Sequence, residues 1–269
     1  MTITVCIKWV LPNRDGDERF AGISLADQAA VETGLSVAEA LNDTCTVVTV
    51  GPPAAEASLR DALACGAHDV VRIDGSADTD SAETARLLAE HCVHSRFIVC
   101  GDYSADRGSG SVPALIAARL ERGQALGLID VRIVGESLSV VRRLDGGRRE
   151  KLSIAGPAVI SVEGSVARLR RASLRATLAA GEAHIDVITN DGSGALRRNT
   201  ETVPPRPYRP RARVVPSPSG SSALDRVRQI TDTSSSKGHG ETVALSPEDA
   251  ASRILESLRA WGYLADSAT

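Results

Sequence analysis

The stretch FIVCGDYSADRGSGS, which runs from Phe97 to Ser111, decides the fold of this chain. Its opening residues are apolar as far as Cys100, which predicts a short strand buried on both faces. A loop rich in glycine and serine follows, and the pattern from Val112 to Leu120 is that of an apolar helix. Strand, loop and helix in this order form the repeating unit of a parallel α/β sheet.

The same alternation precedes this unit along the chain. Further strands are predicted at Ile3 to Val10, Cys45 to Val50 and Gly66 to Ile73. Helices of a length suited to crossover connections are predicted at Ser24 to Leu41, Ala54 to Cys65 and Ser81 to Cys92. We therefore predict the α/β fold class with a doubly wound, mostly parallel sheet.

The pattern changes after Leu126, where short strand candidates follow one another directly. They are Asp130 to Val134, Ser137 to Arg143, Lys151 to Ile154 and Ala158 to Val162. Between them, Asp145-Gly146-Gly147 predicts a hairpin turn. We expect these strands to extend the sheet in antiparallel orientation.

Three regions are predicted along the chain. Residues 1–189 form a nucleotide-binding α/β domain, residues 190–245 an extended partner-wrapping arm rich in proline, serine and arginine, and residues 246–269 a C-terminal amphipathic helix. Because proline lacks a backbone donor, the prolines from Pro204 to Pro218 predict no regular structure across the arm.

The C-terminal helix begins with a clear start signal. Ser246 is a favoured N-cap residue and Pro247 a favoured first helical residue. An apolar stripe follows on one side of the helix, made by Ala250, Ile254, Leu258 and Trp261. Such a stripe needs a surface to cover, either on its own domain or on another chain.

The composition argues against several classes of partner. The 31 basic and 34 acidic residues leave a formal net charge of −3, so no overall field attracts nucleic acid or an anionic membrane. No stretch approaches the roughly 20 uninterrupted apolar residues of a membrane span, so we expect no direct membrane insertion. The five cysteines lie in or beside apolar segments without CxxC spacing, which predicts reduced thiols and a cytoplasmic protein.

The loop that begins at Gly101 is the most informative candidate site. Its glycines permit close backbone approach, and successive N–H groups ahead of a helix N-terminus suit a phosphate. The alternative is a surface loop that only caps the helix. Lys8, at the end of the first strand, could meet a phosphate or a flavin, or could simply be solvated. The loop matches neither GxGxxG nor a P-loop, and no catalytic or metal-ligand set emerges, so we expect no catalytic residue.

Several segments in their order resemble the β subunit of electron transfer flavoproteins over nearly the whole chain. These segments are Val5 to Val10, Ser24 to Glu32, Gly51-Pro52 with Leu59 to Ala67, Gly101 to Val112, Arg142 to Gly147, and Pro157 to Ile160. The resemblance implies an adenine nucleotide α-hydrolase-like variant of the Rossmann fold. It also implies an electron-carrier subunit rather than an enzyme.

Members of that family hold AMP in this subunit, or a second FAD in bifurcating relatives, while the α subunit binds the redox-active FAD. Carried over to this chain, the nucleotide contacts would be Cys6, Ser24, Leu25, Ala26, Asp27, Val50, Gly101, Asp102, Tyr103, Ser104, Ala105, Asp106, Arg107, Gly108, Ser109, Gly110, Ser111 and Val112. The resemblance also implies that Leu174 anchors a flavin or redox-cofactor dehydrogenase. The alternative for Leu174 is a residue packed in a core helix.

The sequence departs from the family pattern around the expected partner site. Ala167-Arg168-Leu169 replaces Asn-Glu-Pro, Arg175-Ala176 replaces Pro-Asn, and Gly181-Glu182-Ala183 replaces a lysine run. Arg107-Gly108 also stands in the nucleotide loop where acids are common. We therefore expect a divergent branch, of a kind such as the mycofactocin-associated type, with the choice of AMP, FAD or neither open.

The expected role is to shape the flavin pocket of the α subunit, so that electrons pass from a dehydrogenase to a membrane quinone reductase. A rival interpretation is a universal-stress-type regulator that binds an adenine nucleotide on its own. A second rival is an enzyme that activates a substrate with ATP. The arm and terminal helix favour the first interpretation, since neither rival has an evident use for them.

Overall fold

The computed structural model describes residues 1–11, 20–190, 222–231, 243–261 and 263. The chain divides into two compact units, Met1–Glu201 and Thr202–Thr269. None of the helices in the described ranges is long and apolar enough to cross a membrane.

The first unit is built on a nine-stranded sheet with the order β7-β6-β5-β8-β4-β1-β2-β3-β9. Its strands are β1 (Thr2–Cys6), β2 (Thr44–Gly51), β3 (Asp69–Asp74), β4 (Ser95–Gly101), β5 (Gly123–Val134), β6 (Ser137–Arg143), β7 (Arg149–Ile154), β8 (Ala158–Val162) and β9 (Asp186–Ile188). Its helices are α1 (Leu25–Leu41), α2 (Glu56–Ala64), α3 (Ser81–His91), α4 (Ser111–Arg119) and α5 (Leu174–Glu182). The predicted α/β class with a mostly parallel sheet is confirmed.

Helices cover both faces of the parallel strands. Alternate residues of β4 point to opposite sides, so Phe97 and Val99 pack in the core with α1 and α2, whereas Ile98 and Cys100 pack with α3 and α4. Because both faces of these strands are buried in apolar cores, their sequences are continuous apolar runs rather than alternating apolar and polar residues.

The structure corrects the expected orientation of one strand. β8 does not extend the sheet antiparallel, because it pairs parallel with both β4 and β5. All five of its residues are buried, as is typical of a central strand in a parallel sheet. The antiparallel extension is confirmed for β5, β6 and β7.

Two strand boundaries also differ from the prediction. β1 ends at Cys6 rather than at Val10, because the chain turns and Val10 instead pairs with Gly22 across an isolated bridge. β5 begins at Gly123 and changes its neighbours midway, with Gly127 at a φ of 66° where the register with β8 shifts. The short edge strand β9 was not predicted.

The second unit contributes two described helices, α6 (Ala223–Thr231) and α7 (Pro247–Ala260). α6 lies within the predicted arm, so the expectation of no regular structure is wrong there, and most of the remaining arm lies outside the described residues. The start of α7 is confirmed: the Ser246 hydroxyl accepts a hydrogen bond from the Asp249 N–H at 3.2 Å. Along α7, Ile254 and Trp261 are exposed.

Candidate functional site

A cleft of the first unit lies at the carboxyl edge of the parallel strands. β1 lies between β2 and β4 in the sheet. From β1 the chain continues to β2 on one side, and β4 is placed on the opposite side of β1. Ligands of doubly wound sheets bind at such a topological switch point. The cleft is open to solvent, and the space between its walls, with the open mouth included, is about 800 Å³.

Eleven of the residues that the sequence assigns to a nucleotide line this cleft. They are Cys6, Asp27, Val50, Gly101, Tyr103, Ser104, Arg107, Ser109, Gly110, Ser111 and Val112. The others lie beside the cleft rather than on its wall, namely Ser24, Leu25, Ala26, Asp102, Ala105, Asp106 and Gly108. Lys8 also lines it, at the end of β1.

The N-terminus of α1 is held against the end of β4. Ser24 and Asp27 form a capping box, in which the Asp27 N–H donates to the Ser24 hydroxyl at 3.0 Å and the Asp27 carboxylate accepts from Ser24. Gly101 permits this approach, because a Cβ there would lie 2.9 Å from Asp27 Oδ1 and 3.0 Å from the Ala26 carbonyl carbon. The cap therefore depends on a glycine that is remote in sequence.

Asp27 is a buried carboxyl group at the wall of the cleft, with 4% of its surface exposed. Burial raises its pKa to about 7, although hydrogen bonds from the Ser24 hydroxyl and N–H and the nearby Lys8 oppose the shift. The group can therefore be neutral or charged near pH 7.

Two contacts fix the loop that follows β4. Lys8 Nζ donates to Asp106 Oδ2 at 2.6 Å, and Arg107 Nη2 donates to the Asp78 carbonyl oxygen at 2.8 Å. Partial burial opposes ionisation of Asp106, but hydrogen bonds from Lys8, Ser104 and the Arg107 N–H lower its pKa to about 2. The loop is thus tied to β1 on one side and to the loop after β3 on the other.

The loop places the N-terminus of α4, which has no side-chain cap, at the cleft. Gly110, the N-cap of α4, has a φ of 58° and makes no side-chain cap. A Cβ at this position would lie 2.5 Å from the Asp102 carbonyl oxygen, so the turn requires glycine. The Ser109 and Ser111 hydroxyls lie 3.1 Å apart beside it. Hydroxyl donors and unsatisfied N–H groups at the positive end of a helix dipole favour an anion.

Sequence reasoning missed one wall of the cleft. It is formed by the loop after β3 and by the first turns of α3, with Ser76, Ala77, Thr79, Ser81, Thr84 and Leu88. The rule that ligands bind at the carboxyl ends of parallel strands, applied to β3 as well as to its neighbours, could have found these residues.

Thiols form part of the floor of the cleft. Cys6 and Cys100 are register partners on β1 and β4, and hydrogen bonding with Cys100 and Cys92, together with burial, raises the pKa of the Cys6 thiol. All five cysteines are free. A thiol of raised pKa is a poor nucleophile, so Cys6 is suited to packing rather than to reaction. In the described part of the chain, no cluster of histidine, cysteine and acidic residues could hold a metal ion.

Leu174 lies on a different surface from the cleft. It begins α5 and is 76% exposed, so the alternative of a leucine packed in a core helix is wrong. The helix is capped by Ser173, whose hydroxyl accepts from the Ala176 N–H at 3.1 Å. Leu178, one turn further along, is 66% exposed.

Comparison with known proteins gives one consistent family. Residues 17–192 match the family described as "Electron transfer flavoprotein domain". The electron transfer flavoprotein subunit beta of Mycobacterium tuberculosis is 31% identical over 191 residues, covering 65% of this chain and 71% of the relative. Protein FixA of Bradyrhizobium diazoefficiens is 30% identical over 205 residues, covering 70% of this chain and 71% of the relative.

Proposed function

This chain belongs to the electron transfer flavoprotein family, among its β subunits, and on that premise we propose that it binds an adenine nucleotide and completes the flavin site of an α subunit. Its role is that of an electron-carrier subunit, without a reaction of its own. The observation that carries the proposal is the cleft at the switch point, where the uncapped N-terminus of α4 meets a row of hydroxyl groups.

The cleft has the donor set that a nucleotide phosphate requires. Ser109 and Ser111 supply hydroxyl donors beside the α4 N-terminus, and two cationic side chains, Arg107 and the Lys8 that pairs with Asp106, lie on the same wall. Both cations already contact protein groups, which places them without a large ordering cost on binding. AMP has a single phosphate and suits this arrangement, and the AMP part of an FAD would make the same contacts.

The redox chemistry belongs to an FAD held mainly by the α subunit, since that cofactor supplies the one-electron and two-electron steps. The residues of this chain would bind and orient the nucleotide and help to exclude water from the flavin site. A bound nucleotide would also stabilise the native fold by mass action, because it binds the folded chain and not the unfolded one.

The α subunit would be held by the C-terminal region. α7 carries an apolar stripe with Ile254 and Trp261 exposed, as expected of a helix that packs on another chain. Leu174 and Leu178 on α5 form a second exposed apolar site, where we place the electron-donating dehydrogenase. A membrane quinone reductase would then accept the electrons.

The universal-stress-type regulator remains the second candidate, because it would use the same sheet edge for a nucleotide. The match over residues 17–192 to the flavoprotein family disfavours it.

Co-expression with an electron transfer flavoprotein α subunit from the same organism tests the proposal. We expect a yellow one-to-one complex, from which acid extraction releases FAD and a second adenine nucleotide. The variant Ser109→Ala/Ser111→Ala should lose most of the second nucleotide but keep the flavin, whereas Ser153→Ala, an exposed serine on β7, should keep both.

Two results would contradict the proposal at different levels. A complex that contains flavin but no second nucleotide, in the wild type as well as in the serine variant, would contradict the proposed nucleotide site but not the carrier role. A colourless monomer that hydrolyses ATP would overturn the carrier role itself.

A further inference from the structure

Among the helices in the described ranges, α1, α3 and α4 begin beside the cleft. Asp27 in the first turn of α1, Ser81 at the start of α3 and Ser111 at the start of α4 all line it. Each helix end attracts an anion, because its N–H groups form the positive end of a helix dipole. The number of phosphate groups that the cleft accepts therefore depends on which of these ends the chain itself occupies.

The N-terminus of α1 is occupied by its own side chains. The Ser24 hydroxyl accepts from the Asp27 N–H at 3.0 Å, and Asp27 Oδ2 accepts from the Ser24 N–H at 3.3 Å. Because this capping box satisfies donors at the start of the helix, α1 has little to offer a phosphate.

The N-terminus of α3 is occupied by an acid. Asp80 is the N-cap, and its Oδ1 accepts from the Ala82 N–H at 2.8 Å and from the Glu83 N–H at 3.1 Å. Its neighbours in sequence, Thr79 and Ser81, both line the cleft. The Asp80 carboxylate therefore takes the position that an anionic ligand would take at this helix, and it repels a phosphate brought near it.

The N-terminus of α4 differs from both, because its N-cap is Gly110 and no side chain caps it. α4 packs beside α3, so the open helix end and the end capped by Asp80 are neighbours. A single phosphate can bind at α4. A phosphate chain that continued towards α3 would meet the Asp80 carboxylate.

Arg107 joins the two loops between which such a chain would run. From the loop after β4, its Nη2 donates to the Asp78 carbonyl oxygen at 2.8 Å and its Nη1 to the Thr79 carbonyl oxygen at 3.4 Å. Both acceptors lie in the loop after β3, and Thr79 and Arg107 line the cleft. The guanidinium group therefore spans two walls of the cleft and holds them together.

The charges of the cleft also suit a small anion. Lys8 is paired with Asp106 at 2.6 Å, and Arg107 Nη2 lies 4.0 Å from the Asp78 carboxylate. These are the cationic side chains of the cleft lining in the part of the chain that the structure describes. A second phosphate would thus add negative charge without a cation of its own to pair with.

We propose that Asp80 and Arg107 make the cleft specific for a nucleotide with a single phosphate and exclude ADP, ATP and the dinucleotide FAD. Asp80 acts by repulsion at the second helix end, and Arg107 acts by joining the loops that a longer phosphate chain would have to separate. The inference rests on the proposed function, which places an adenine nucleotide here. It goes further, because the donors at α4 alone suit AMP and the AMP part of an FAD equally.

The test uses the heterodimer with its flavin bound and its second nucleotide exchanged for radiolabelled AMP. Unlabelled AMP, ADP and ATP compete with the label, and the readout is the ratio of their dissociation constants. We expect ADP to bind at least about 30-fold more weakly than AMP, and ATP more weakly still. The wild-type heterodimer purified in excess FAD should contain one FAD rather than two.

Asp80→Asn removes the carboxylate charge and keeps a favoured N-cap residue, so α3 should remain capped. We expect the ratio of the ADP to the AMP dissociation constant to fall by about tenfold. Asp80→Ser, a second neutral cap, should lower the ratio in the same way. Asp145→Asn is the matched control, because Asp145 is an exposed aspartate between β6 and β7, and it should leave the ratio unchanged.

Arg107→Lys keeps the positive charge but loses the planar fork that reaches two carbonyl oxygens. The ratio should therefore fall by about tenfold in this variant as well, because the two loops are no longer joined. Arg149→Lys, at an exposed arginine of β7, is the control for this substitution and should keep the wild-type ratio.

The outcomes separate this inference from the proposed function. Equal affinity of the wild type for AMP and ADP, or a second FAD bound to it, overturns the inference but not the proposed nucleotide site. A preference for AMP that persists in the Asp80 and Arg107 variants also overturns it, since other residues would then set the specificity. A flavin-containing heterodimer that binds no labelled AMP contradicts the proposed nucleotide site, and this inference with it.

Discussion

The cleft buries a polar group, whereas the outer face of α5 exposes apolar ones. At the cleft a carboxyl group, Asp27, is turned inward and buried, whereas on α5 two leucines are turned outward and exposed. Each arrangement costs free energy in an isolated chain, because a buried carboxyl favours its neutral form and an exposed leucine orders water. We therefore expect a small polar ligand at the first surface and a macromolecule at the second.

Asp27→Asn should produce the largest change on the cleft side. Its pKa is raised, so the folded state favours the neutral carboxyl: its contribution to stability is full below about pH 4 and is lost as the pH rises through about 7. At about 1.4 kcal/mol for each pH unit between the ordinary and folded pKa values, the loss is of order 4 kcal/mol. The variant should therefore gain stability over the wild type from pH 4 to pH 8, as urea unfolding of the heterodimer would measure.

Asp106→Asn is the control for this pH dependence. The pKa of Asp106 is lowered, so its stabilisation is present above its ordinary pKa and is lost only as the pH falls towards about 2. The difference in free energy of unfolding between Asp106→Asn and the wild type should stay constant from pH 5 to pH 8. A flat profile for Asp27→Asn as well would show that Asp27 is ionised in the folded chain.

Truncating one buried and one exposed leucine should separate core packing from docking. Leu59 is fully buried, and Leu59→Ala should lower the free energy of unfolding by about 3 kcal/mol. Leu174→Ala should change it by less than about 0.5 kcal/mol but raise the KM for the dehydrogenase about tenfold. Denaturant unfolding and donor titration measure the two effects. Equal destabilisation by both would mean that Leu174 packs on its own chain.

Gly110→Ala should break the loop that presents the α4 N-terminus. Its positive φ and the 2.5 Å approach to the Asp102 carbonyl oxygen leave no room for a Cβ, so we expect a loss of about 2 kcal/mol and release of the nucleotide. Gly146→Ala is the control, since Gly146 also has positive φ, at 69°, but has open space around its Cβ position. That variant should lose about 1 kcal/mol and keep the nucleotide, as measured by thermal unfolding and by chromatography of the extract.

The Lys8–Asp106 pair should give the smallest effect. Both side chains are about one-third exposed, so water and salt screen the 2.6 Å contact. We expect Lys8→Met to lower the free energy of unfolding by about 1 kcal/mol at low salt and by less at high salt. A double-mutant cycle with Asp106→Asn measures the coupling, and a coupling of zero would show that the loop is held by Arg107 and the backbone alone.

Much of the fold was predictable from residues close together in sequence. The strand ending at Cys100, the glycine loop and the helix after it are in the predicted place, as is the Ser246-Pro247 start of α7. These features depend on the local backbone: which residues can cap a helix, adopt positive φ or continue an apolar periodicity.

The sequence by itself therefore determined the local units and the sheet edge where a ligand would bind. Only the tertiary structure decided that β8 lies parallel between β4 and β5, that the loop after β3 forms a wall of the cleft, and that Leu174 is exposed. It also decided that Arg170 binds Glu32, which is 138 positions away. The physical reason is that strand pairing, burial and ion pairs depend on residues brought together by the whole fold, and no local pattern carries that information.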